Sequence, residues 1–253
     1  QGGFGLAGGY PTGIGATRVM IEAGLEMLGR VKAGEYPTVS AMRAGEWGKS
    51  ILPAGVPERV PLPEGTLLVD YVAGGGGFGD PIDRAPAAVL KDFGHGWVSR
   101  EIAERIYGVV FADGGKAVDS AATEDCRRQV REARQQDAPI SQKSSDKAAA
   151  VSSDSRQLLR FHAALEIIGN GKQKAIRCSR CGHLYCKADE NYKQYALHRV
   201  LDLNDFMPPL PTGEPYIGEY HIYSCPGCAT QLQVDLYSPS LGGDPVLWDT
   251  RIA

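Results

Sequence analysis

Two pairs of cysteines are the residues of this sequence with the clearest chemistry. Cys178-Ser-Arg-Cys181 and Cys225-Pro-Gly-Cys228 share one spacing, and residues 182–224 separate them. Each pair can direct two thiolates toward one point, and together they complete a tetrahedral sulfur site of the kind that binds Zn²⁺ or iron. Because four protein ligands leave no open position, the sequence predicts one structural zinc ion, with a rubredoxin-like iron site as the alternative.

Three further side chains could act as ligands or nucleophiles, and the sequence gives each a less active role. His183 and Cys186 follow the first cysteine pair, but that site already has four better-placed thiolates, so both are expected to pack. Cys126 lies in a highly charged helical segment with no recognisable group of His or Lys residues beside it. Its thiol is therefore expected to be incidental.

A glycine run from Gly74 to Pro81 invites comparison with phosphate-binding loops, because bare backbone amides can bind anions. The run lacks the Gly-Lys-Ser/Thr ending of such loops. Asp80 adds a negative charge, and Pro81 has no amide hydrogen to donate. We therefore expect a glycine turn packed tightly against a neighbouring strand or subunit.

The elements of the first part of the chain follow from hydrophobic spacing and from Gly and Pro. The stretches TRVMIEAG and GTLLVDYVAGGGGFGDP indicate strands and loops, with a helical pattern at Ile21, Leu25, Met27 and Leu28. A short helix should begin near Pro86 and end at Gly94, and a second should run from an N-cap at Ser99 to Gly108. These two resemble a helix-turn-helix, but their basic residues are matched by acidic ones, which excludes DNA binding.

A third helix is predicted from Glu124 to Gln136, followed by a Ser-rich flexible linker over residues 138–157. Beyond the linker, apolar residues at helical spacing predict another helix: Leu158, Leu159, His162, Leu165 and Ile168. The cysteines should lie on strands. The fold class is thus α+β, with a strand- and loop-rich domain over residues 1–137 and a small zinc-ribbon-like β domain over residues 158–253.

Composition narrows the class of protein. The chain has 27 Lys and Arg against 30 Asp and Glu, a formal net charge of −3, which excludes a basic-tail nucleic-acid or membrane binder. With no apolar run of roughly 18 residues and no signal peptide, a cytoplasmic protein is expected. Of its 32 glycines, 19 lie in the first 80 residues, and the chain begins without Met, which predicts a segment of a longer or processed protein.

Two parts of the sequence resemble parts of one enzyme system. The stretch AGGGGFGDPIDRAPAAVLKDFGHGWVSREIAERIYGVV resembles the C-terminal tail of the hydantoinase B and oxoprolinase family, and GLAGGYPTGIGATRVMIEA is more similar to its ketone-carboxylase branch, the acetone and acetophenone carboxylases. CSRCGHLYCKADENYK and EYHIYSCPGCATQLQVDLYSP are similar to the small zinc-binding subunit of those carboxylases. In that family the two parts lie on separate chains, whereas here they share one.

The resemblance implies an accessory subunit of an ATP-dependent carboxylase that joins a ketone and bicarbonate into a β-keto acid. It also implies larger hydantoinase A-like and hydantoinase B-like partner subunits that hold ATP and Mg²⁺ or Mn²⁺. No catalytic or cofactor-binding residue can be named in this chain. Two rival hypotheses are a subunit of an ATP-dependent cyclic-amide hydrolase, such as a hydantoinase or oxoprolinase, and a free-standing zinc-ribbon interaction module.

Overall fold

A computed structural model describes residues 4–11, 17–22, 24–35, 41, 45–51, 66–71, 75–136, 155–170, 173–206 and 215–248. The chain forms two compact units, one of Gln1–Gly2 with Gly13–Gly74 and the other of Gly3–Thr12 with Gly75–Ala253. Short helices and antiparallel sheets make up both units, which confirms the α+β class. Within the described residues, no helix combines the length and apolarity needed to cross a membrane.

The first unit contains a three-stranded antiparallel sheet in the order β2-β1-β3. Its strands are β1 (Thr17–Glu22), β2 (Lys49–Ile51) and β3 (Thr66–Tyr71), and helix α1 (Gly24–Lys32) follows β1. Both predicted strands are confirmed. Ile21, counted in the predicted helix, instead belongs to β1, because its backbone pairs with Leu67 of β3 before the chain turns into α1.

The described part of the glycine run, residues 75–81, packs against the irregular segment 4–11 of the same unit. Backbone hydrogen bonds join Gly77 to Tyr10 and Gly79 to Leu6, at 2.8 and 2.9 Å. A Cβ on Gly76 would lie 1.9 Å from the Phe4 carbonyl oxygen, so no larger residue fits there. The tight packing predicted for this loop is confirmed, although its neighbour is an irregular segment and not a strand.

Three helices follow the glycine loop. They are α2 (Pro86–Gly94), α3 (Arg100–Arg105) and α4 (Ser120–Gln136), with a 3₁₀ turn at Pro81–Asp83 before them. A hairpin of β4 (Phe111–Ala112) and β5 (Ala117–Val118) precedes α4. Val89, Ala103 and Val109 form the centre of the small core that these elements share.

The predicted ends of these helices are largely confirmed. The Ser99 hydroxyl accepts a hydrogen bond from the Ile102 amide at 3.2 Å, as an N-cap does. Gly108 has a φ of +59°, the left-handed conformation expected after a helix. Helix α4 begins four residues before the predicted Glu124, because the Asp119 carboxylate caps the Ala122 amide at 3.0 Å.

The helix predicted over Leu158–Ile168 is wrong. The chain instead forms β6 (Arg156–Arg160), a turn, and β7 (Leu165–Gly169), which lie in a four-stranded antiparallel sheet with β8 (Lys174–Cys178) and β9 (Leu184–Lys187). Strand β7 is buried throughout and lies between β6 and β8, which suits its β-branched Ile167 and Ile168. The apolar residues of two strands joined by a short turn have the same spacing along the sequence as those of one helix face.

The second sheet of this unit has the order β10-β11-β12, all antiparallel. Its strands are β10 (Leu197–Asp202), β11 (Glu219–Ser224) and β12 (Gln231–Tyr237), and helix α5 (Leu203–Phe206) follows β10. Further 3₁₀ turns lie at Tyr192–Tyr195 and Pro239–Leu241. Buried side chains from both sheets form one core, among them Leu165, Tyr185, Tyr223 and Leu232.

Most of the predicted linker, residues 138–154, lies outside the described residues. Its last residues, 156–157, belong to β6. The second compact unit contains both residues 75–136 and residues 155–248. Domain boundaries at 137 and 158 therefore stay a prediction.

Candidate metal centre

The four predicted cysteine ligands lie on two similar turns that belong to different sheets. Cys178 ends β8 and its turn leads into β9, whereas Cys225 follows β11 and its turn leads into β12. We call these turns, residues 178–181 and 225–228, the first and second knuckles. In each, the residue after the second cysteine donates its amide to the carbonyl of the first cysteine, at 3.0 Å from Gly182 and 2.8 Å from Ala229.

The knuckles bring all four sulfur atoms together. Every Sγ lies within 4.8 Å of the others, with 3.9 Å between Cys178 and Cys228 and 3.7 Å between Cys181 and Cys225. A tetrahedral zinc site with Zn–S bonds of about 2.3 Å has sulfur–sulfur separations of about 3.8 Å. The spacing of the cluster therefore suits a tetrahedral metal ion with only small adjustments.

The protonation of the cluster shows what such an ion would change. A hydrogen bond from the Cys225 thiol, helped by backbone amides of the first knuckle, lowers the pKa of Cys178 to about 4. The same hydrogen bond raises the pKa of Cys225, and burial raises the pKa of Cys181 to about 11. The thiol of Cys178 thus ionises easily while those of Cys181 and Cys225 resist, and a divalent cation would supply the charge that stabilises four thiolates together.

A buried tyrosine beside the cluster gives a second reason to expect Cys225 to be a thiolate when a metal ion is bound. Tyr185 is fully buried, and its hydroxyl has no hydrogen-bond partner of acceptable geometry among the described residues. Burial and the adjacent Cys225 raise the pKa of Tyr185, so the group remains a neutral phenol. An ionised Cys225 would be an acceptor for this hydroxyl, which otherwise stays unsatisfied at a cost of about 1–3 kcal/mol. The residues present thus fit a metal ion.

The neighbouring candidates of the sequence analysis lie outside the four-sulfur group. Cys186 is buried in β9, its Sγ lies 3.8 Å from the Glu190 carbonyl oxygen, and burial raises its pKa to about 12. His183 packs edge-on against Tyr185, and burial lowers its pKa. Cys126 lies on α4 with its Sγ 3.7 Å from the Glu104 carbonyl oxygen, and burial raises its pKa as well.

One functional feature was missed by sequence reasoning: the segment from the glycine loop to α4 docks on both knuckles. Arg134 of α4 donates to the Ala229 carbonyl at 3.0 Å, and Gln135 donates to the Pro226 carbonyl at 3.4 Å. In the first knuckle, Arg180 forms an ion pair with Asp83. These contacts join residues far apart in sequence, so no local pattern indicates them.

Asp80 of the glycine run is the centre of this docking surface. Its carboxylate accepts two hydrogen bonds from Arg134, at 2.7 and 3.0 Å, and one from the Gln231 amide at 2.9 Å. The Asp80 side chain is 1% exposed and that of Arg134 is 12% exposed, so the ion pair is almost entirely shielded from solvent. We call Asp80, Arg134 and the Gln231 amide the docking clamp.

The second half of the chain matches a known family. Residues 151–253 match the model of the acetone carboxylase gamma subunit family. This region contains both knuckles. It therefore contains all four cysteines of the candidate metal centre.

Two curated relatives are similar to parts of this chain. A match of 143 residues is 37% identical to the acetone carboxylase alpha subunit of Xanthobacter autotrophicus and covers 52% of this chain and 18% of that protein. A match of 59 residues is 46% identical to the caprolactamase subunit beta of Pseudomonas jessenii and covers 23% of this chain and 10% of that protein. The chain thus spans less than a fifth of the length of either relative.

The alpha-subunit match is not confined to the region that matches the gamma subunit family. Because 52% of the chain is more than residues 151–253 contain, the alpha-subunit match includes residues before 151. One chain therefore combines similarity to an alpha subunit with a region that matches the gamma subunit family. The resemblance of the first part to the hydantoinase B and oxoprolinase tail stays a prediction.

Proposed function

We propose that this chain is an accessory subunit of a ketone carboxylase complex, with one structural Zn²⁺ held by Cys178, Cys181, Cys225 and Cys228. The observation that carries the proposal is the match of residues 151–253 to the acetone carboxylase gamma subunit family, on a chain that is also similar to an alpha subunit. Two similarities to one enzyme, of which the alpha-subunit match extends beyond residues 151–253, are a stronger indication than either alone.

The role of the metal follows from the position of the knuckles. A bound ion would link two turns from different sheets and neutralise their thiolates. The docking clamp and Gln135 contact backbone atoms in and directly after the second knuckle. The ion would therefore fix the surface on which residues 75–136 dock, a structural role that needs no open coordination position.

The reaction itself belongs, in this proposal, to larger partner subunits. They would be hydantoinase A-like and hydantoinase B-like chains that bind ATP and Mg²⁺ or Mn²⁺ and carboxylate a ketone to a β-keto acid in the cytoplasm. This chain contributes no catalytic residue to that scheme. The four-cysteine group is consistent with that scheme, because four thiolates would leave a bound ion no open coordination position.

Purification of the tagged chain from its own host tests the proposal. We expect larger subunits to co-purify, and the complex to fix labelled bicarbonate only when both a ketone and ATP are present. Elemental analysis should find one zinc per chain. Iron in its place would favour the rubredoxin-like alternative, and neither metal at stoichiometric level would contradict the metal assignment.

A subunit of a cyclic-amide hydrolase is the second candidate. The 46% identity to the caprolactamase subunit beta over 59 residues favours it. The gamma-subunit match over residues 151–253 favours the carboxylase instead. A purified complex that opens a lactam or hydantoin ring without fixing bicarbonate would establish the hydrolase, whereas a chain that purifies with no partner would favour the zinc-ribbon interaction module.

A further inference from the structure

A cleft of about 160 Å³ lies between helix α4 and the β10-β11-β12 sheet. Its walls are mostly apolar. Val130 and Ala133 line it from α4, and Leu197 and Ile222 line it from the sheet. At about 30 Å³ for each water molecule in the liquid, the space holds roughly five waters. A ligand of this volume is a small molecule and not a nucleotide or a peptide.

The charged side chains around the cleft are arginines, and none of the described lining residues is acidic. Arg134 is bound to Asp80 in the docking clamp, and Arg105 lies 3.5 Å from Glu101 on the surface. Arg199 of β10 is exposed, and its side chain forms no hydrogen bond or ion pair with any residue that the structure describes, so its guanidinium is open to solvent and to a ligand. The cleft thus offers one available guanidinium beside apolar walls.

A buried hydroxyl lies in the same cleft. Ser224 is 4% exposed, and its side chain makes no hydrogen bond with the residues that the structure describes. Because Ser224 lines the cleft, its hydroxyl can donate a hydrogen bond to a ligand there. Tyr10, whose pKa is raised by burial, adds a neutral phenol to the lining.

We propose that this cleft binds one small organic monocarboxylate, with its carboxylate group on Arg199 and the Ser224 hydroxyl and its carbon chain on Val130 and Ile222. A guanidinium and a hydroxyl are donors that suit a carboxylate. One available cation suits a single negative charge, and the apolar walls favour an organic anion over inorganic phosphate. The proposal rests on side chains of this chain alone and does not depend on the proposed function.

Titration of the zinc-loaded full chain with butyrate, followed by calorimetry and by amide NMR shifts, tests this site. We expect saturable binding of one butyrate with a dissociation constant of about 1 mM, as suits its small size. Butyramide, which keeps the shape without the charge, should bind at least ten-fold more weakly. Inorganic phosphate that binds more tightly than butyrate would overturn the proposal, because it would indicate a general anion site.

Variants decide whether the named residues form the site. Arg199→Gln should weaken butyrate binding at least ten-fold, and Ser224→Ala several-fold. Arg128→Gln is the matched control, because Arg128 lies on α4 but pairs with Asp125 at 2.6 Å and does not line the cleft. Zinc content and thermal melting would show that each variant is folded. Absence of butyrate binding, or equal affinity in the Arg199→Gln variant, would refute the proposal.

Discussion

Replacing Asp80 by Asn should loosen the docking of residues 75–136 on the second knuckle. The variant keeps the size of the side chain but removes its charge, which leaves the guanidinium of Arg134 without its negatively charged partner, although its hydrogen bond to the Ala229 carbonyl remains. The NH₂ group of the introduced Asn would also be a hydrogen-bond donor that faces other donors, because Arg134 and the main-chain amide of Gln231 both donate to this position. Loss of one member of a buried ion pair costs about 3–5 kcal/mol, and the 12% exposure of Arg134 favours the lower end.

A neighbouring ion pair provides the control. Asp83 pairs with Arg131 and Arg180, but its side chain is 29% exposed and both arginines are 39% exposed. Pairs of this kind contribute about 0–1 kcal/mol, because solvent screens them. Asp83→Asn removes one charge from the same segment, so it has the same effect on net charge as Asp80→Asn.

Amide hydrogen exchange of the Gln231 region measures the difference. A loss of about 3 kcal/mol corresponds to exchange that is roughly 100-fold faster, where exchange follows the opening equilibrium. Asp83→Asn should accelerate it by about 5-fold or less. If amide exchange accelerates equally in the two variants, or by less than about 5-fold in Asp80→Asn, the docking clamp does not hold the docked segment.

Three more predictions concern the metal, the glycine loop and a histidine pair. Cys225→Ser should abolish zinc binding, measured by elemental analysis, and lower the melting temperature sharply. Cys126→Ser, outside the cluster, should keep the zinc content and the melting temperature of the parent protein. Gly76→Ala should expose segment 4–11 to proteolysis, because its Cβ would meet the Phe4 carbonyl, whereas Gly75→Ala, with open space around it, should not. Burial and the neighbouring His221 lower the pKa of His198, so the folded state favours the neutral ring, and stability should fall as the pH drops below about 6.5. Melting at pH 7.5 and 5.5 should show a smaller difference in His198→Gln than in the parent, and acid-induced loss of zinc, common to both proteins, cancels in that comparison. The same difference in melting temperature in both proteins would contradict the assignment of this pH dependence to His198.

Local signals in the sequence were enough for the three helices of residues 75–136 and for the choice of cysteines. Ser99 and Gly108 marked helix ends because capping acts over a few residues. The repeated spacing of the cysteines was sufficient to identify the four members of the sulfur cluster. The helix proposed over Leu158–Ile168 failed because spacing alone does not separate one helix from two short strands joined by a turn.

The docking clamp could not be found in this way. Asp80, Arg134 and Gln231 lie in a loop, a helix and a strand whose approach depends on the whole tertiary structure. In the sequence, Asp80 was identified only as a charge that weakens a phosphate-loop interpretation. Its actual partners are a cation from α4, a main-chain amide from β12 and the main-chain amide of Ile82 in its own turn.

The contacts on the second knuckle have a consequence for how its sequence can vary. Arg134 and Gln135 bind the carbonyl oxygens of Ala229 and Pro226, and Asp80 binds the amide of Gln231, so recognition uses main-chain atoms. Main-chain groups are the same in every residue except for the missing amide hydrogen of proline. Substitution of the side chains between the cysteines would therefore preserve these hydrogen bonds. A change in the backbone path of the loop would break them even if every residue stayed the same.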